Sequence, residues 1–253
     1  MRAPEDLRTL VEEGLDELSF HPSLAGLAEP MRYALAGGGK RIRPVICLAT
    51  TDAAGGRVED ALPAALAIEL VHTFSLVHDD LPSMDDDDER RGRPSLHVAY
   101  ADGVALLAGD ALLAEGLRLA ARQERPEPAR ELADATLGMI GGQYLDVTGS
   151  ADDLTALNRL KTGRLFEASV AVALAVNGAE RQTWPRFAQE VGALFQLVDD
   201  LLDGDGHVLA HGEDETRRRA DEAAERALAA LSELDADTSV LRGIVEGLAT
   251  RTA

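Results

Sequence analysis

Residues 74–97 read FSLVHDDLPSMDDDDERRGRPSLH, and this stretch carries the strongest structural signal in the chain. The apolar residues leading into it recur every four positions, which is the spacing of one face of an α-helix. We expect this helix to run into Asp79 and Asp80 and to end at Pro82, since proline disrupts a helix. Asp85–Asp88 then fall in the following loop. The stretch therefore predicts a dense group of carboxylates at the C-terminal end of a buried helix.

A second aspartate cluster has the same placement. Residues 195–206 read FQLVDDLLDGDG, in which Asp199 and Asp203 share one helix face and Asp200 lies beside them. The helix dipole disfavours each carboxylate at a C-terminal end by about 0.3–1 kcal/mol, and neighbouring carboxylates also repel one another. We therefore expect a cation to bind there. Oxygen ligands without a nearby cysteine favour Mg²⁺.

The rest of the sequence also has a helical pattern. Alanine and leucine dominate, strand-like alternation of β-branched residues is rare, and glycines and prolines are spaced so as to separate helices. No fixed-period repeat or biased linker divides the 253 residues, a length that one domain can fill. We predict a single all-α domain over residues 1–253.

Composition and charge exclude several kinds of partner. The net charge of −20 argues against nucleic acid and against polybasic contact with an anionic membrane. The longest apolar run, 168–176, is too short for a bilayer, so no membrane span is expected. Cys47 is the only cysteine, and acidic residues occupy the place of a signal peptide's apolar core. The expected location is the cytoplasm.

Basic residues flank the acidic ones in a pattern suited to phosphate. Lys40 lies with Arg41 and Arg43 in the glycine-rich segment GGGKRIRP, and glycine allows the backbone to approach a ligand closely. Arg90 and Arg91 directly follow the first aspartate cluster, and arginine forks match phosphate oxygens in pairs. An acidic metal site beside an arginine pair is what a magnesium-bound diphosphate requires.

Two further positions are open to more than one interpretation. Lys161-Thr162-Gly163 is expected to open a helix, where lysine and threonine can meet an anion but where an ordinary helix cap is equally typical. His72 lies on the same predicted helix face as Asp79, although a lone histidine there is more often a core residue.

Taken together, these motifs resemble the trans-type isoprenyl diphosphate synthases, the polyprenyl synthetase family. The similarity runs from about Leu24 to Gly206, and the motifs follow in the family's order. GGGKRIRP is similar to its glycine-lysine-arginine loop, and residues 79–97 are similar to the longer form of its first aspartate-rich motif. The later similarities are GDALL at 109–113, GGQYLD at 141–146, KTG at 161–163 and FQLVDDLLD at 195–203.

The resemblance implies a fold and a reaction. The fold is an antiparallel helix bundle around a deep central cavity, usually in a homodimer. In the reaction an allylic diphosphate loses pyrophosphate with the help of about three Mg²⁺ ions, and the double bond of isopentenyl diphosphate attacks the resulting cation. A proton is then removed by the departing pyrophosphate.

The resemblance also assigns roles to individual residues of this chain. Metal binding falls to Asp79, Asp80 and Asp85 in the first cluster and to Asp199 and Asp203, supported by Asp200, in the second. Isopentenyl diphosphate would be held by Lys40, Arg43, His72 and Arg91, and the allylic diphosphate by Arg90 and Lys161. Thr162 and Gln196 would direct their oxygens at the developing cation.

The sequence departs from the family's pattern after the second cluster. The family usually continues with a loop that brings a lysine to the pyrophosphate, whereas this chain is shorter there and has no lysine after Lys161. His207, His211 and Arg217 are the candidate substitutes.

Product length is expected to depend on Phe74 and Ser75, which precede the first aspartates. The family relates bulky residues there to short products, so farnesyl diphosphate is favoured and geranylgeranyl diphosphate comes next. Ideal helical spacing places Ser75, but not Phe74, on the face of Asp79.

Other functions remain as alternatives. A terpene cyclase shares the fold but has no GGGKRIRP loop, and a non-catalytic subunit of a heteromeric prenyl synthase typically loses one aspartate motif. A metal-dependent phosphohydrolase would use the dipeptide His78-Asp79, but its further ligands are not evident at suitable spacing.

Overall fold

The computed structural model describes residues 2–150, 153–181 and 183–251, and helices account for most of them. The helices are α1 (Pro4–Asp16), α2 (Ala28–Leu35), α3 (Ile42–Ala53), α4 (Val58–Asp79), α5 (Leu96–Tyr100), α6 (Asp102–Ala120), α7 (Glu127–Val147), α8 (Leu154–Asn158), α9 (Arg164–Asn177), α10 (Trp184–Asp203), α11 (Gly206–His211), α12 (Glu213–Ser232) and α13 (Ser239–Ala249). A 3₁₀ turn spans Pro22–Leu27, a π-helical turn spans Arg159–Gly163, and β1 (Glu89–Arg90) pairs with β2 (Arg93–Pro94). The all-α prediction is confirmed.

Helix α4 occupies the centre of the bundle. Glu59 and Asp60 lie in its first turn, where they complement the helix dipole, and most of the later residues are buried against α3, α6 and α9. In the described part of the chain it alone is long and apolar enough to cross a membrane, and 67% of its most apolar window is buried inside the bundle. Core packing therefore accounts for its composition.

The second long buried helix is α10. Trp184, the only tryptophan in the sequence, is buried in its first turn and meets the Phe187 ring edge-on at 6.5 Å between centroids. Gly204 ends the helix with φ +71°, a left-handed conformation that glycine adopts without strain. Most of the buried apolar residues in the described part of the chain belong to one core cluster, which extends from Leu7 in α1 to Leu248 in α13.

Both aspartate clusters lie at helix C-terminal ends, as predicted, since α4 ends at Asp79 and α10 ends at Asp203. Asp85–Asp88 lie in a loop, as predicted, and the short β1–β2 ribbon follows them. One local expectation was wrong. Lys161 to Gly163 do not open a helix but lie inside the π-helical turn, and Gly163 continues into α9 with right-handed helical dihedrals.

Candidate active site

A cavity of about 580 Å³ lies between α3, α4, α7 and α10. Asp79 from α4 lines it, together with Asp199 and Asp203 from α10. The ends of two helices that are distant in sequence therefore present carboxylates to one space, and basic side chains complete the walls.

The first cluster places Asp79 at the cavity wall and Asp85 in the loop next to it. The Asp85 backbone N–H donates to the Asp79 carbonyl at 2.9 Å, which folds the loop back onto the helix end. Burial raises the pKa of Asp79 to about 6, with Asp85 contributing in the same direction and Lys161 opposing it. Burial also raises the pKa of Asp85. The apo site therefore disfavours these negative charges, as expected where a cation binds.

Asp80 differs from its predicted metal-binding role. Its carboxylate is buried and accepts two hydrogen bonds from Arg90 Nε, at 2.7 and 2.8 Å, and a further one from the Nη2 of the same guanidinium. Asp80 does not line the cavity, because adjacent helical residues point about 100° apart and Asp79 already faces it. In this geometry Asp80 positions Arg90, which does line the cavity.

In the second cluster, too, some of the aspartates line the cavity and one does not. Asp199 and Asp203 line the cavity, and burial followed by repulsion from Asp203 raises the pKa of Asp199. Asp200 instead is buried and accepts hydrogen bonds from Gln196 Nε2 at 2.7 Å and from the backbone N and Nδ1 of His207 at 2.9 and 2.7 Å. Asp200 therefore holds Gln196, whose side chain lines the cavity.

The β1–β2 ribbon delivers the arginine pair. Arg91 and Gly92 form its tight turn with φ values of +55° and +75°, the positive values that a two-residue hairpin turn requires. Arg91 hydrogen-bonds the Gly38 carbonyl and packs directly on Gly39, where a Cβ would collide with the guanidinium. The glycine-rich segment thus admits Arg91 to the cavity wall.

Arg43 is a buried residue in the wall of the same cavity. Its guanidinium lies over the Phe166 and Phe195 rings, at 4.5 and 5.3 Å from their centroids, and burial lowers its pKa to about 10. Its Nη1 lies 3.4 Å from His72 Nε2, and its buried Nε has no hydrogen-bond partner among the described residues. A buried donor without a partner at the edge of a cavity is suited to an anion.

His72 and Lys40 line the same part of the cavity as Arg43. Burial and the neighbouring Arg43 and Arg91 hold the pKa of His72 well below its usual range, so the imidazole is neutral. Arg41, from the same glycine-rich segment, instead pairs with the buried Glu69 at 2.6 Å and with Glu12 at 3.0 Å. It therefore anchors the segment and is not free to bind phosphate.

Lys161 and Thr162 reach the cavity from the π-helical turn. Lys161 forms an ion pair with Asp146, the last residue of GGQYLD. A Cβ on Gly142 would lie 2.8 Å from the Lys161 backbone nitrogen, so this glycine allows α7 to pack closely against the turn. Sequence analysis assigned no role to Asp146 or Gly142.

The donor set fits magnesium that is shared with a substrate. Among the described residues, no three His, Cys, Asp or Glu side chains converge closely enough to enclose an ion by themselves. Mg²⁺ usually takes one or two carboxylates and completes its shell with water and phosphate oxygens. Asp79 with Asp85, and Asp199 with Asp203, could supply those carboxylates from opposite walls.

A second pocket of about 320 Å³ lies beside the cavity, between α4 and α7. The two spaces share Ser75, Asp79, Met139 and Lys161 in their walls. Phe74 also lines this second pocket, although ideal helical spacing places it off the Asp79 face, and its ring meets His78 edge-on. The remaining wall is largely apolar, which suits a hydrocarbon chain.

Gln143 is another residue that sequence analysis did not single out. Its Nε2 is buried and has no hydrogen-bond partner among the described residues, and the side chain lines the apolar pocket. The motif GGQYLD was noted in the sequence, but only the structure shows that its glutamine faces the pocket.

Arg251 also lines the cavity, where its Nη1 lies 3.5 Å from Asp199 Oδ1. The three substitutes considered for the missing lysine do not reach the cavity wall. His207 is held by Asp200, and neither His211 nor Arg217 contributes to the lining.

Comparisons with known proteins agree with this architecture. The polyprenyl synthetase family matches residues 25–216. A geranylgeranyl diphosphate synthase from Cyanophora paradoxa is 40% identical over 78% of this chain and 71% of its own length. A farnesyl diphosphate synthase from Micrococcus luteus is 38% identical over 79% of this chain and 74% of its own. The apo crystal structure of an FPP/GFPP synthase from Zymomonas mobilis, 30% identical, superposes with a TM-score of 0.83 over 98% of this chain and 100% of that one.

The fold and the two facing aspartate clusters define a helical prenyltransferase of the isoprenoid synthase class. The chain belongs to the polyprenyl synthetase family, among the short-chain trans-prenyl diphosphate synthases. It spans only 57% to 61% of the length of three chloroplast relatives from Arabidopsis thaliana and Capsicum annuum.

Proposed function

We propose that this chain condenses isopentenyl diphosphate with an allylic diphosphate, head to tail, to give a short-chain trans-prenyl diphosphate. The observation that carries the proposal is a single cavity with carboxylates on two walls and cations between them, next to an apolar pocket that shares four of its wall residues. The cavity supplies charge complementarity to diphosphates, and the pocket can receive the hydrocarbon chain.

In the proposed complex the allylic diphosphate lies between the two aspartate walls, with its hydrocarbon chain toward Phe74. Bound Mg²⁺, about three ions per site, would neutralise the diphosphate and make pyrophosphate a better leaving group. Arg90 and Lys161 add positive charge on the same side. On the other side of the cavity, isopentenyl diphosphate would be held by Arg43, Arg91, Lys40 and the neutral His72.

The chemistry then follows from charge. The allylic C–O bond breaks and pyrophosphate leaves with the electron pair, while the oxygens of Thr162 and Gln196 stabilise the cation. The double bond of isopentenyl diphosphate attacks the cation and forms the new C–C bond. The departing pyrophosphate accepts the proton released from the product. The apolar walls keep water from quenching the cation.

We propose farnesyl diphosphate as the main product and geranylgeranyl diphosphate as the next. Phe74 and Ser75 lie in the wall of the pocket that would receive the growing chain. A bulky ring at that position shortens the available space, which favours the shorter product.

We also propose that the chain works as a homodimer. Six large apolar side chains on α6 and α7 are between 46% and 68% exposed, namely Leu106, Leu107, Leu137, Ile140, Tyr144 and Val147. Exposed large apolar side chains concentrated on two helices that pack together are typical of a protein–protein interface. A second copy of this chain would bury it.

The cytoplasm remains the expected location. The only cysteine, Cys47, is buried, and burial raises the pKa of its thiol to about 12, so it acts as a packing residue. Cell fractionation with an antibody to the chain tests this expectation.

The deciding experiment is to incubate purified protein with Mg²⁺, isopentenyl diphosphate and, in separate reactions, dimethylallyl, geranyl or farnesyl diphosphate. Chromatography that resolves the products by chain length should show a series ending at farnesyl or geranylgeranyl diphosphate. Consumption of an allylic diphosphate without isopentenyl diphosphate would favour a cyclase. An absence of turnover with every primer would contradict the proposal and favour a non-catalytic subunit.

A further inference from the structure

The segment after the second aspartate cluster is fastened to the end of α10. The backbone N and Nδ1 of His207 both donate to the Asp200 carboxylate, which is itself buried. Gly206, with φ +47°, lies so close to Asp200 that a Cβ there would collide with the carboxylate. His207 therefore lies against the flank of α10 and does not point toward the diphosphate cavity.

Arg251 enters the cavity from a different part of the chain. It follows α13, whose Leu241, Val245 and Leu248 are buried and fix the helix on the core. Among the described residues after Asp203, Arg251 alone lines the cavity. The cation that the described residues after Asp203 contribute to the cavity thus comes from the segment after α13.

The contacts of Arg251 place it where diphosphates are expected. Its guanidinium lies 3.5 Å from Asp199, a long contact for a hydrogen bond, so the group is not locked onto this carboxylate. Lys40 lines the same cavity as Arg251, and after burial the charge of Arg251 is the next cause that lowers the pKa of Lys40. Phosphate oxygens offer a guanidinium the paired geometry that one long carboxylate contact does not.

We propose that Arg251 binds a diphosphate group in this cavity and takes the place of the lysine that the family's pattern has after the second aspartate cluster. The proposal rests on the proposed function and adds a substrate-binding residue to it. Isopentenyl diphosphate and the allylic diphosphate both carry a diphosphate group that Arg251 could bind. Proximity to Lys40 is consistent with isopentenyl diphosphate, and proximity to Asp199 is consistent with the allylic diphosphate or the pyrophosphate that it releases.

Isothermal titration calorimetry on the full chain distinguishes these sources. One arm of the experiment measures the affinity for pyrophosphate in the presence of Mg²⁺, and the other arm measures the affinity for isopentenyl diphosphate in EDTA. Arg251→Gln should weaken binding about tenfold in at least one arm, because a charge-assisted hydrogen bond is lost. The arm that changes identifies the diphosphate. Arg242→Gln, at a half-buried arginine of the preceding helix α13 that does not line the cavity, should bind like the wild type in both arms.

The outcomes separate this proposal from the one on which it rests. Wild-type affinity of Arg251→Gln in both arms would overturn the role of Arg251 and leave the proposed function standing. Failure of the wild type to bind either ligand would overturn both. If Arg251→Gln loses its helical circular dichroism, Arg251→Met decides the question, since it keeps the aliphatic stem but not the charge. That variant should bind about tenfold more weakly in at least one arm, and wild-type affinity in both arms would overturn the proposal.

Discussion

Asp79 carries a carboxyl group whose pKa is raised to about 6 in the last turn of α4, chiefly by burial. A pKa raised in the folded state means that folding disfavours the ionised form. The contribution of Asp79 to the free energy of unfolding is then most favourable below the unfolded pKa of 3.8 and decreases as pH rises through 6.

We predict that Asp79→Asn stabilises the metal-free protein at pH 8 by about 1–3 kcal/mol, because the penalty for ionisation is removed. The gain should shrink toward zero near pH 4. Urea denaturation in EDTA at both pH values measures it. Asp221→Asn, at an exposed position on α12, is the matched control and should change little. A less stable Asp79→Asn protein at pH 8 would contradict the pKa argument.

Removing a carboxylate from either wall should stop turnover without unfolding the protein. Asp79→Ala and Asp199→Ala each remove a carboxylate that faces the cavity, and neither side chain packs in the apolar core. We expect less than about a thousandth of wild-type kcat, the scale of losing electrostatic stabilisation in a transition state. Product chromatography measures the rate and circular dichroism the fold. Near-normal turnover in either variant would refute the metal assignment.

Substitutions at Phe74 and Ser75 should change the length of the prenyl product in opposite directions. Phe74→Ala enlarges the pocket and should lengthen the product by at least one isoprene unit, whereas Ser75→Phe should shorten it. Val77→Ala, a buried residue of α4 that lines neither the cavity nor this pocket, controls for lost packing. An unchanged product from Phe74→Ala would show that another residue closes the pocket.

At the scale of elements, the helix ends were predictable and the partners of individual aspartates were not. Pro82 and Gly204 mark the ends of α4 and α10 in the sequence, because their backbone preferences act locally. Asp80 and Asp200 were grouped with the cavity residues, yet each is turned away from it. Their partners, Arg90 and His207, occupy a ribbon and a short helix whose positions depend on tertiary packing.

The close packing of α7 on the π-helical turn gives an element-scale prediction. Gly142→Ala would place a Cβ 2.8 Å from the Lys161 backbone nitrogen, so the turn must shift. We expect a loss of about 1–3 kcal/mol in the free energy of unfolding and a raised KM for the allylic substrate, because Lys161 moves with the turn. Denaturation and steady-state kinetics measure the two effects.

The neighbouring glycine supplies the control. A Cβ on Gly141 meets open space, so Gly141→Ala should leave the free energy of unfolding unchanged or raise it by about 0.5–1 kcal/mol. Equal effects of the two substitutions would show that helix propensity, and not contact with the turn, explains the result.

At the scale of the whole molecule, the exposed apolar face on α6 and α7 should hold two copies together. Leu107→Asp combined with Leu137→Asp puts charges on this face at side chains that line neither the cavity nor the apolar pocket. We expect the dimer to dissociate, as measured by sedimentation velocity. Leu209→Asp, at a still more exposed leucine on α11, should leave the assembly unchanged. A wild-type chain that sediments as a monomer would contradict the proposal.

The whole molecule also explains why Arg251 escaped sequence analysis. Its partner Asp199 lies on α10, with two further long helices between them in the chain, and no local motif surrounds it. The motifs that predicted the cavity are each compact in sequence, such as GGGKRIRP around Lys40. Arg251 reaches the cavity through the packing of α13, and no short sequence motif marks it.

The single tryptophan provides a natural optical probe of folding. Trp184 is buried in the first turn of α10, whereas Asp203 ends the same helix about 28 Å away at 1.5 Å per residue. Its emission should therefore shift to longer wavelength when the bundle unfolds and stay constant when ligands fill the cavity. We therefore expect the protein to report its global unfolding by fluorescence without an introduced label, with a signal that substrates leave unchanged.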